Sequence, residues 1–221
     1  MRMERKKSFM IEKYHDFMDK RHDQFRTYPD PEDHDSSPGH PLKNAWTFWC
    51  CVRDPSRDRG ECIEELKTVY TAEEFFKFYN SLPRPSALEC SFDYCLFRKG
   101  IQPTWEDPNN AAGGRWMVFV NKNKENRNQV IDHYWIWLLL TLIGEHFDDL
   151  GGEICGATVR IRNDVDKISL WTRNGSASTP KVVLNIGDIF RKRLKVSEDD
   201  SVKYRLHRPE LLDQKKRNRK S

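Results

Sequence analysis

The sequence lacks a long apolar run, and this absence argues against a membrane protein. Its longest apolar stretch covers residues 134–140 and resumes at Leu142, whereas a helix that spans a bilayer needs about 20 apolar residues in succession. The first seven residues are mostly charged, so they do not resemble the start of a signal peptide. We therefore expect a soluble, intracellular protein of the cytoplasm. We also expect it to be monomeric.

Metal-ligand motifs are also missing. The six cysteines include no Cys-x-x-Cys pair and no histidine at zinc-ligand spacing. Most of them lie in apolar, strand-like sequence, where a free cysteine behaves as a small apolar side chain. We therefore predict reduced, structural thiols, and we expect neither a metal nor a cofactor.

The sequence has little that indicates catalysis. Its histidines are scattered, none lies beside a serine or cysteine nucleophile motif, and no glycine-rich phosphate loop follows a strand. The acidic pairs Glu64-Glu65 and Asp148-Asp149 lack metal-site spacing, and a solvated surface is their simpler interpretation. A net charge of +4 is small for a protein that follows long nucleic acids. We predict a binding protein, and a nucleic-acid contact should be short.

The chain divides into three segments of different composition. Residues 1–39 are rich in charge and show only a weak apolar stripe over 8–18, so they predict a disordered or partly helical tail. Residues 40–207 form the predicted domain. Residues 208–221 form a basic C-terminal tail. Its Lys/Arg run has three interpretations, which are solvated disorder, an RNA contact and a nuclear import signal.

Strand-like and helix-like patterns alternate between the tails. Thr71 and Glu74 form a capping box that starts a first helix, Gly144 ends a second, and Pro180 opens a third. The predicted helices cover 72–82, 126–143 and 180–194, and the predicted strands cover 46–52, 91–97, 115–120, 154–162, 167–172 and 202–206. Strands with one apolar face predict an antiparallel sheet covered on one side by helices, which is the α+β class.

Trp105 is unusual among the tryptophans because its neighbours Thr104, Glu106 and Asp107 are polar. Loop side chains often bind ligands. An indole stacks on a nucleobase for about 1–3 kcal/mol, and it attracts a positively charged base further. The two oxygens of Glu106 match the N–H donors on the edge of guanine. The alternative is that Trp105 folds back over the core as a lid.

Six blocks of the sequence follow one another along the predicted domain: His40-Pro41-Leu42 with Trp46 and Trp49, Trp105-Glu106-Asp107, Gly113-Gly114-Arg115-Trp116, Leu142-Ile143-Gly144-Glu145, Cys155-Gly156-Ala157 and Lys167-Ile168-Ser169-Leu170-Trp171. In content and in order, these blocks resemble the eukaryotic translation initiation factor 4E family. The resemblance covers residues 40–207. It implies a curved antiparallel sheet with three helices packed on its convex face, and a 7-methylguanosine cap of mRNA held in its concave face.

The resemblance also implies the cap-binding residues. Trp105 would stack on the methylated guanine, and Glu106 would bind the edge of the base. The other implied contacts are Trp171 with the N7-methyl group and Arg162, Lys167 and, more weakly, Arg115 with the phosphates. The remaining tryptophans of the matched blocks are predicted to belong to the core: Trp46, Trp49 and Trp116.

Three positions depart from the family pattern near the predicted cap site, and one of them, Thr104 in place of a common methionine, carries little weight. The other two bear on the grip. A second stacking tryptophan is expected near residues 59–62, but this stretch has no aromatic residue. Either Arg59 or Cys62 occupies the position, depending on the alignment. Asp164 stands where the family usually carries a lysine, and an anion there repels phosphate. Both changes predict a weaker or altered grip on the cap.

The second predicted helix is apolar on almost every side, which exceeds what packing on a sheet requires. The resemblance implies that this surface binds a short helix with a Tyr-x-x-x-x-Leu-apolar motif, from an initiation scaffold or a repressor. The implied contact residues are His40, Pro41, Phe76, Ile136, Trp137 and Leu140. Phe76 replaces a usual tryptophan, and Trp137 replaces a frequent acidic residue. Burial of the helix by the tails is the alternative.

These observations lead to three hypotheses. The first is a protein without enzymatic activity that binds capped mRNA and recruits it to translation initiation through a scaffold. The second is a cap-binding repressor or specialised isoform with a different partner. The third is a hydrolase of capped nucleotides, against which the missing metal-binding carboxylate cluster argues.

Overall fold

The computed structural model describes residues 39–52, 63–90, 92–175 and 180–207. The candidate stacking position at Arg59 or Cys62 lies outside the described residues, as do the two predicted tails apart from Gly39. None of the described helices is long and apolar enough to cross a membrane.

Seven strands of the described chain form one antiparallel sheet in the order β2-β1-β3-β5-β6-β4-β7. The strands are β1 (Pro41–Val52), β2 (Ile63–Thr71), β3 (Phe92–Arg98), β4 (Gly114–Asn121), β5 (Ile154–Arg160), β6 (Val165–Thr172) and β7 (Ser201–Leu206). The helices are α1 (Ala72–Ser81), α2 (Pro108–Ala111), α3 (Arg127–Ile143) and α4 (Pro180–Leu194). The predicted α+β class, with three long helices against one face of a curved sheet, is confirmed.

Local signals place the ends of the helices. Thr71 caps α1, since its Oγ1 accepts a hydrogen bond from the Glu74 amide at 3.2 Å, and the Glu74 carboxylate accepts one from the Tyr70 amide at 2.6 Å. Gly144 ends α3, where its amide donates to the Leu140 carbonyl at 3.0 Å. Both ends agree with the prediction because capping depends on residues a few positions apart.

Strand β2 is absent from the sequence prediction. Within the described ranges it is an edge strand that pairs only with β1. Its sequence Ile-Glu-Glu-Leu-Lys-Thr-Val-Tyr-Thr contains helix-forming residues such as Glu, Leu and Lys. Pairing with β1 outweighs this weak local preference. The same pairing extends β1 back to Pro41, five residues before the predicted start.

The two faces of the sheet have different roles because side chains alternate along a strand. In β4 and β6, residues such as Val118 and Leu170 are fully buried in the main core under the helices. The intervening residues, among them Arg115 and Lys167, therefore lie on the opposite face. We call this opposite face the concave face.

The predicted core tryptophans divide between the two faces. Trp46 is 1% exposed and belongs to the main core. Trp116 packs against that core, and its Nε1 donates to the Val183 carbonyl of α4 at 2.9 Å. Gly187 permits this contact, because a Cβ there would overlap the Trp116 ring. Trp49 instead packs, half-buried, with a second cluster on the concave face.

Candidate functional site

The loop that carries Trp105 is held by two side chains that follow it. Asp107 caps α2 by accepting from the Asn109 amide at 2.8 Å, and its second oxygen accepts from the Gln102 amide at 2.9 Å. The buried Asn110 donates from Nδ2 to the Gln102 carbonyl at 2.8 Å and to the Thr104 carbonyl at 2.7 Å. These bonds fix the loop from both sides of Trp105.

Trp105 and Glu106 project from this tethered loop. The indole of Trp105 is 36% exposed, and Glu106 is exposed beside it. About a third of the Trp105 surface is therefore accessible to a ligand. Because the loop backbone is bonded in place, stacking on Trp105 would require little further ordering of the loop.

An apolar cluster on the concave face lies next to this loop. It contains Cys95, Phe97, Ile101, Cys155 and Trp171, with Trp49 packed against it. Ile101 precedes the Trp105 turn by four residues. The loop is joined to the cluster a second time, since the Cys155 thiol lies 3.4 Å from the Asn109 carbonyl. Trp105 is therefore positioned at the rim of the concave face.

Trp171 has no exposed surface in the described structure. Its ring lies 4.2 Å from the ring of His207 and 5.5 Å from the Arg115 guanidinium, while Phe97 packs edge-on against it at 5.4 Å. A ligand group that touches this indole must therefore first displace a covering side chain. His207 was missed from the sequence, because no local pattern joins residues 36 positions apart.

The predicted phosphate ligand Arg162 is held by a buried carboxylate. Its two terminal nitrogens donate to Asp93 at 2.6 and 3.0 Å. Burial opposes the charge of Arg162, but the hydrogen bonds and charge of Asp93 outweigh burial and raise the pKa of the guanidinium. Arg160 also approaches Asp93, with its Nε 3.3 Å from a carboxylate oxygen. Two guanidinium groups share one carboxylate, so the cluster stays positive.

The side chain of Asp166 holds the hairpin between Arg162 and Lys167 in place. This carboxylate is fully buried, accepts from the Arg162 amide at 3.1 Å, and pairs with Lys122 at 3.0 Å and with Arg127 of α3. Charge-assisted bonds of this kind are short and directional. They hold the turn that presents Arg162 and Lys167 on the concave side.

Asp164 lies at the tip of the same hairpin. It is exposed, and hydrogen bonds from the Val165 amide and its own amide, together with the charges of Lys167 and Arg162, lower the pKa of its carboxyl. The charge of Asp164 is therefore close enough to the two predicted phosphate ligands to act on them. Asp164 is also the position at which the sequence carries an aspartate where the family usually has a lysine.

The predicted partner-binding residues lie at the start of β1 and on the helices α1 and α3, and four of the six are exposed. Phe76 of α1 is 44% exposed and Trp137 of α3 is 42% exposed, while Ile136 and Leu140 are half-buried. His40 and Pro41 are exposed at the start of β1, and His40 Nδ1 lies 2.6 Å from the Glu73 carboxylate of α1. We call these six residues the convex patch.

Within the described ranges, no group of three or more His, Cys, Asp or Glu side chains is arranged to hold a metal ion. Four of the described cysteines, Cys50, Cys51, Cys95 and Cys155, are buried, and Cys90 is exposed. Burial raises the pKa of the Cys50 and Cys155 thiols, each to about 12.

The fold and the site together define an α+β protein with an aromatic, basic concave face and an apolar patch on its helical side. The chain belongs to the eukaryotic initiation factor 4E family, whose model matches residues 41–221. It is 40% identical to eukaryotic translation initiation factor 4E-3 of Caenorhabditis elegans over 170 residues, covering 76% of this chain and 67% of that one. It is 36% identical to human eukaryotic translation initiation factor 4E, covering 76% of both chains.

Solved structures of the family superpose on the described fold. The structure of Ascaris suum eIF4E-3 in complex with an m2,2,7G cap matches with a TM-score of 0.73 and 41% identity, covering 78% of this chain and 93% of that one. The complex of C. elegans eIF4E-3 with the 4E-binding protein Mextli matches with a TM-score of 0.72 and 39% identity, covering 77% and 94%.

Proposed function

We propose that this chain binds the 7-methylguanosine cap of mRNA on its concave face and recruits the mRNA to translation initiation through a protein bound at its convex patch. The observation that carries the proposal is the Trp105-Glu106 pair, which projects from a tethered loop at the rim of a basic face. Relatives that carry the name of initiation factors favour this role over that of a repressor. The chain would act by binding rather than by catalysis, in the cytoplasm.

Each part of the cap has a matching group. Methylation at N7 gives guanine a positive charge, so the base gains cation–π attraction to the indole of Trp105 in addition to stacking. The Glu106 carboxylate accepts from the two N–H groups on the guanine edge. Lys167, Arg162 and Arg115 offer positive charge to the phosphates. Trp171 would touch the methyl group once His207 or Arg115 moves from its ring.

The shared carboxylate gives Arg162 its orientation. Asp93 occupies both terminal nitrogens of the guanidinium, so Arg162 would contact phosphate from a fixed position with little loss of side-chain entropy.

The second stacking position falls at either Arg59 or Cys62. An arginine there would lie against a cationic base, which is unfavourable, and a cysteine would add only dispersion, so Trp105 would supply most of the stacking.

A titration of tryptophan fluorescence with 7-methyl-GTP and with GTP tests the cap proposal. We expect binding of the methylated nucleotide and clearly weaker binding of GTP, because only the methylated base is cationic. Equal affinity for the two nucleotides would contradict the proposal.

We predict that Glu106→Ala reduces the affinity for 7-methyl-GTP by more than about 100-fold, since two donors lose a charged acceptor worth roughly 1.5–3 kcal/mol each. Glu89→Ala serves as the control, because Glu89 is an exposed glutamate in the segment between α1 and β3. Near-normal affinity of Glu106→Ala, with a normal control, would show that Glu106 does not bind the base edge.

A further inference from the structure

The concave face continues past the proposed phosphate ligands to an aromatic side chain that the cap proposal does not use. Phe119 of β4 is half-buried. It lies on the concave face because its neighbours Val118 and Val120 are fully buried in the main core on the other face. It is paired with Lys167 of β6 on one side and with Ser201 of β7 on the other.

Two lysines flank the Phe119 ring from the neighbouring strands. Lys167 Nζ lies 5.6 Å from the ring centre, and Lys203 Nζ lies 5.8 Å from it. Both distances are near the outer limit of about 6 Å for a cation–π contact. The ammonium groups can therefore leave the ring for a stronger anionic partner without losing much attraction.

The same strands extend the positive charge of this region. Lys203 and Arg205 are exposed on β7, and Lys203 is paired with Met117 and Arg205 with Arg115 across β4. Residues two apart on a strand share a face, so Arg205 and Lys203 lie beside the concave residues of β4. An aromatic ring between cationic side chains is the arrangement that binds single-stranded nucleic acid, because bases stack and phosphates pair with the cations.

We propose that Phe119, Lys167 and Lys203 form a binding site for the first nucleotide after the cap. This inference rests on the proposed function, in which Lys167 binds a phosphate of the bridge between the cap and the RNA. The base of the next nucleotide stacks on Phe119 in place of the ammonium groups. Lys203 then pairs with the phosphate that follows this base.

The geometry along the strands supports the order of these contacts. Trp171 and Lys167 are four residues apart on one face of β6, which corresponds to roughly 13 Å. The cap base at the Trp171 end and the phosphates at Lys167 thus define a direction, and Phe119 lies directly across from Lys167. The exposed Asp164 interacts electrostatically with Lys167 and Arg162, and it repels phosphate at the hairpin rather than at β7.

The test compares 7-methyl-GTP with a capped trinucleotide of RNA in fluorescence titrations of the full chain. We expect the unmodified chain to bind the trinucleotide more tightly. Phe119→Leu should remove roughly 5- to 100-fold of that affinity, the range of one stacked base, while its affinity for 7-methyl-GTP stays within about two-fold. Leu184→Ala, which changes an exposed apolar side chain of α4 on the opposite side of the sheet, should change neither affinity.

A second variant tests the site without altering the ring. Lys203→Gln should lower the slope of log affinity against log salt by about 0.7 for the trinucleotide only, the value for one phosphate contact on a single strand. Lys192→Gln, an exposed lysine in the last turn of α4, is the control. A further test removes the base instead of the side chain. A capped trinucleotide with an abasic first position should bind with equal affinity to the unmodified chain and to the Phe119→Leu variant.

Two results would overturn the site. One is an undiminished trinucleotide advantage in both Phe119→Leu and Lys203→Gln. The other is an equal loss for 7-methyl-GTP and for the trinucleotide in Phe119→Leu, which would mean that the ring only supports the cap site. Failure of the proposed function is distinguishable from both, because the unmodified chain would then not prefer 7-methyl-GTP over GTP.

Discussion

At the scale of single residues, the concave face depends on how its cations are balanced. Asp93 orients Arg162 and neutralises part of the charge of Arg162 and Arg160. Asp164 acts differently, because it is exposed at the tip of the hairpin and lies near Lys167. A buried carboxylate thus orients the proposed phosphate ligand Arg162, whereas the exposed carboxylate would reduce the attraction of this region for an anion.

We predict that Asp164→Lys tightens binding of 7-methyl-GTP by roughly two- to five-fold, the range of exposed charge pairs. The gain should be larger at low salt, where screening is weaker. Fluorescence titrations at two salt concentrations measure it, with Asp188→Lys on the exposed side of α4 as the control. No gain at low salt would mean that Asp164 does not act on the bound phosphates.

At the scale of elements, α3 carries apolar side chains on two sides. One side packs against the sheet, and the other is exposed. Trp135, Leu138 and Leu139 are buried against the sheet, which satisfies the need for a core-facing stripe. Trp137 points away from them and is exposed next to His133, whose ring centre lies 5.9 Å away. The apolar excess of this helix therefore lies partly on the surface, where the sequence predicted a partner site.

We predict that Trp137→Ala weakens binding of a helical peptide with a Tyr-x-x-x-x-Leu-apolar motif by at least about ten-fold, because an exposed tryptophan in an apolar patch is a frequent hot spot. Isothermal titration calorimetry measures the affinity. Leu184→Ala removes another exposed apolar side chain, on α4, and should have no effect. If both variants bind the peptide like the unmodified chain, the convex patch is not its docking site.

At the scale of the whole molecule, the sheet separates a charged face from an apolar one. Buried cysteine thiols pack on both faces. Cys50 packs in the main core beneath the helices, and Cys155 packs in the cluster on the concave face. Both thiols stay protonated in the folded chain well above their ordinary pKa of 9.0, because burial raises the pKa of each to about 12. The state of these thiols therefore links global stability to alkaline pH.

We predict that the free energy of unfolding falls as pH rises from about 9 towards 12. Unfolded thiols ionise near their ordinary pKa of 9.0 while the folded ones stay protonated, so the unfolded chain binds fewer protons. At about pH 10.5 the loss should reach roughly 1–2 kcal/mol for each thiol. Urea unfolding in reducing buffer measures it.

The matched variants for this prediction are the double substitution Cys50→Ala and Cys155→Ala and the single substitution Cys90→Ala. The double variant should lose most of the dependence on pH between about 9 and 10, although it starts from a lower stability. Above pH 10, Tyr79 and Tyr134 add to the loss, because burial raises the pKa of each from 10.0 to about 12. Cys90 is exposed, so its removal should leave the dependence intact. An unchanged slope in the double variant would assign the alkaline loss to other groups.

The sequence by itself determined the features that depend on neighbouring residues. The capping box at Thr71, the end of α3 at Gly144 and the alternation that separates Lys167 from Ile168 are all local, because helix caps and strand faces are set within a few positions. The Trp105-Glu106 pair was also visible, since an aromatic residue among polar neighbours contrasts with a strand. The order of the matched blocks predicted the family and its fold.

Only the tertiary structure decided what surrounds those residues. Asp93 pairs with Arg162 across 69 positions, and His207 covers Trp171. Phe119 acquires its two lysines from neighbouring strands, and β2 becomes a strand through its pairing with β1. Each of these contacts joins segments far apart in the chain. The register of the sheet and the burial of its other face determine which residues meet, rather than any local preference of the sequence.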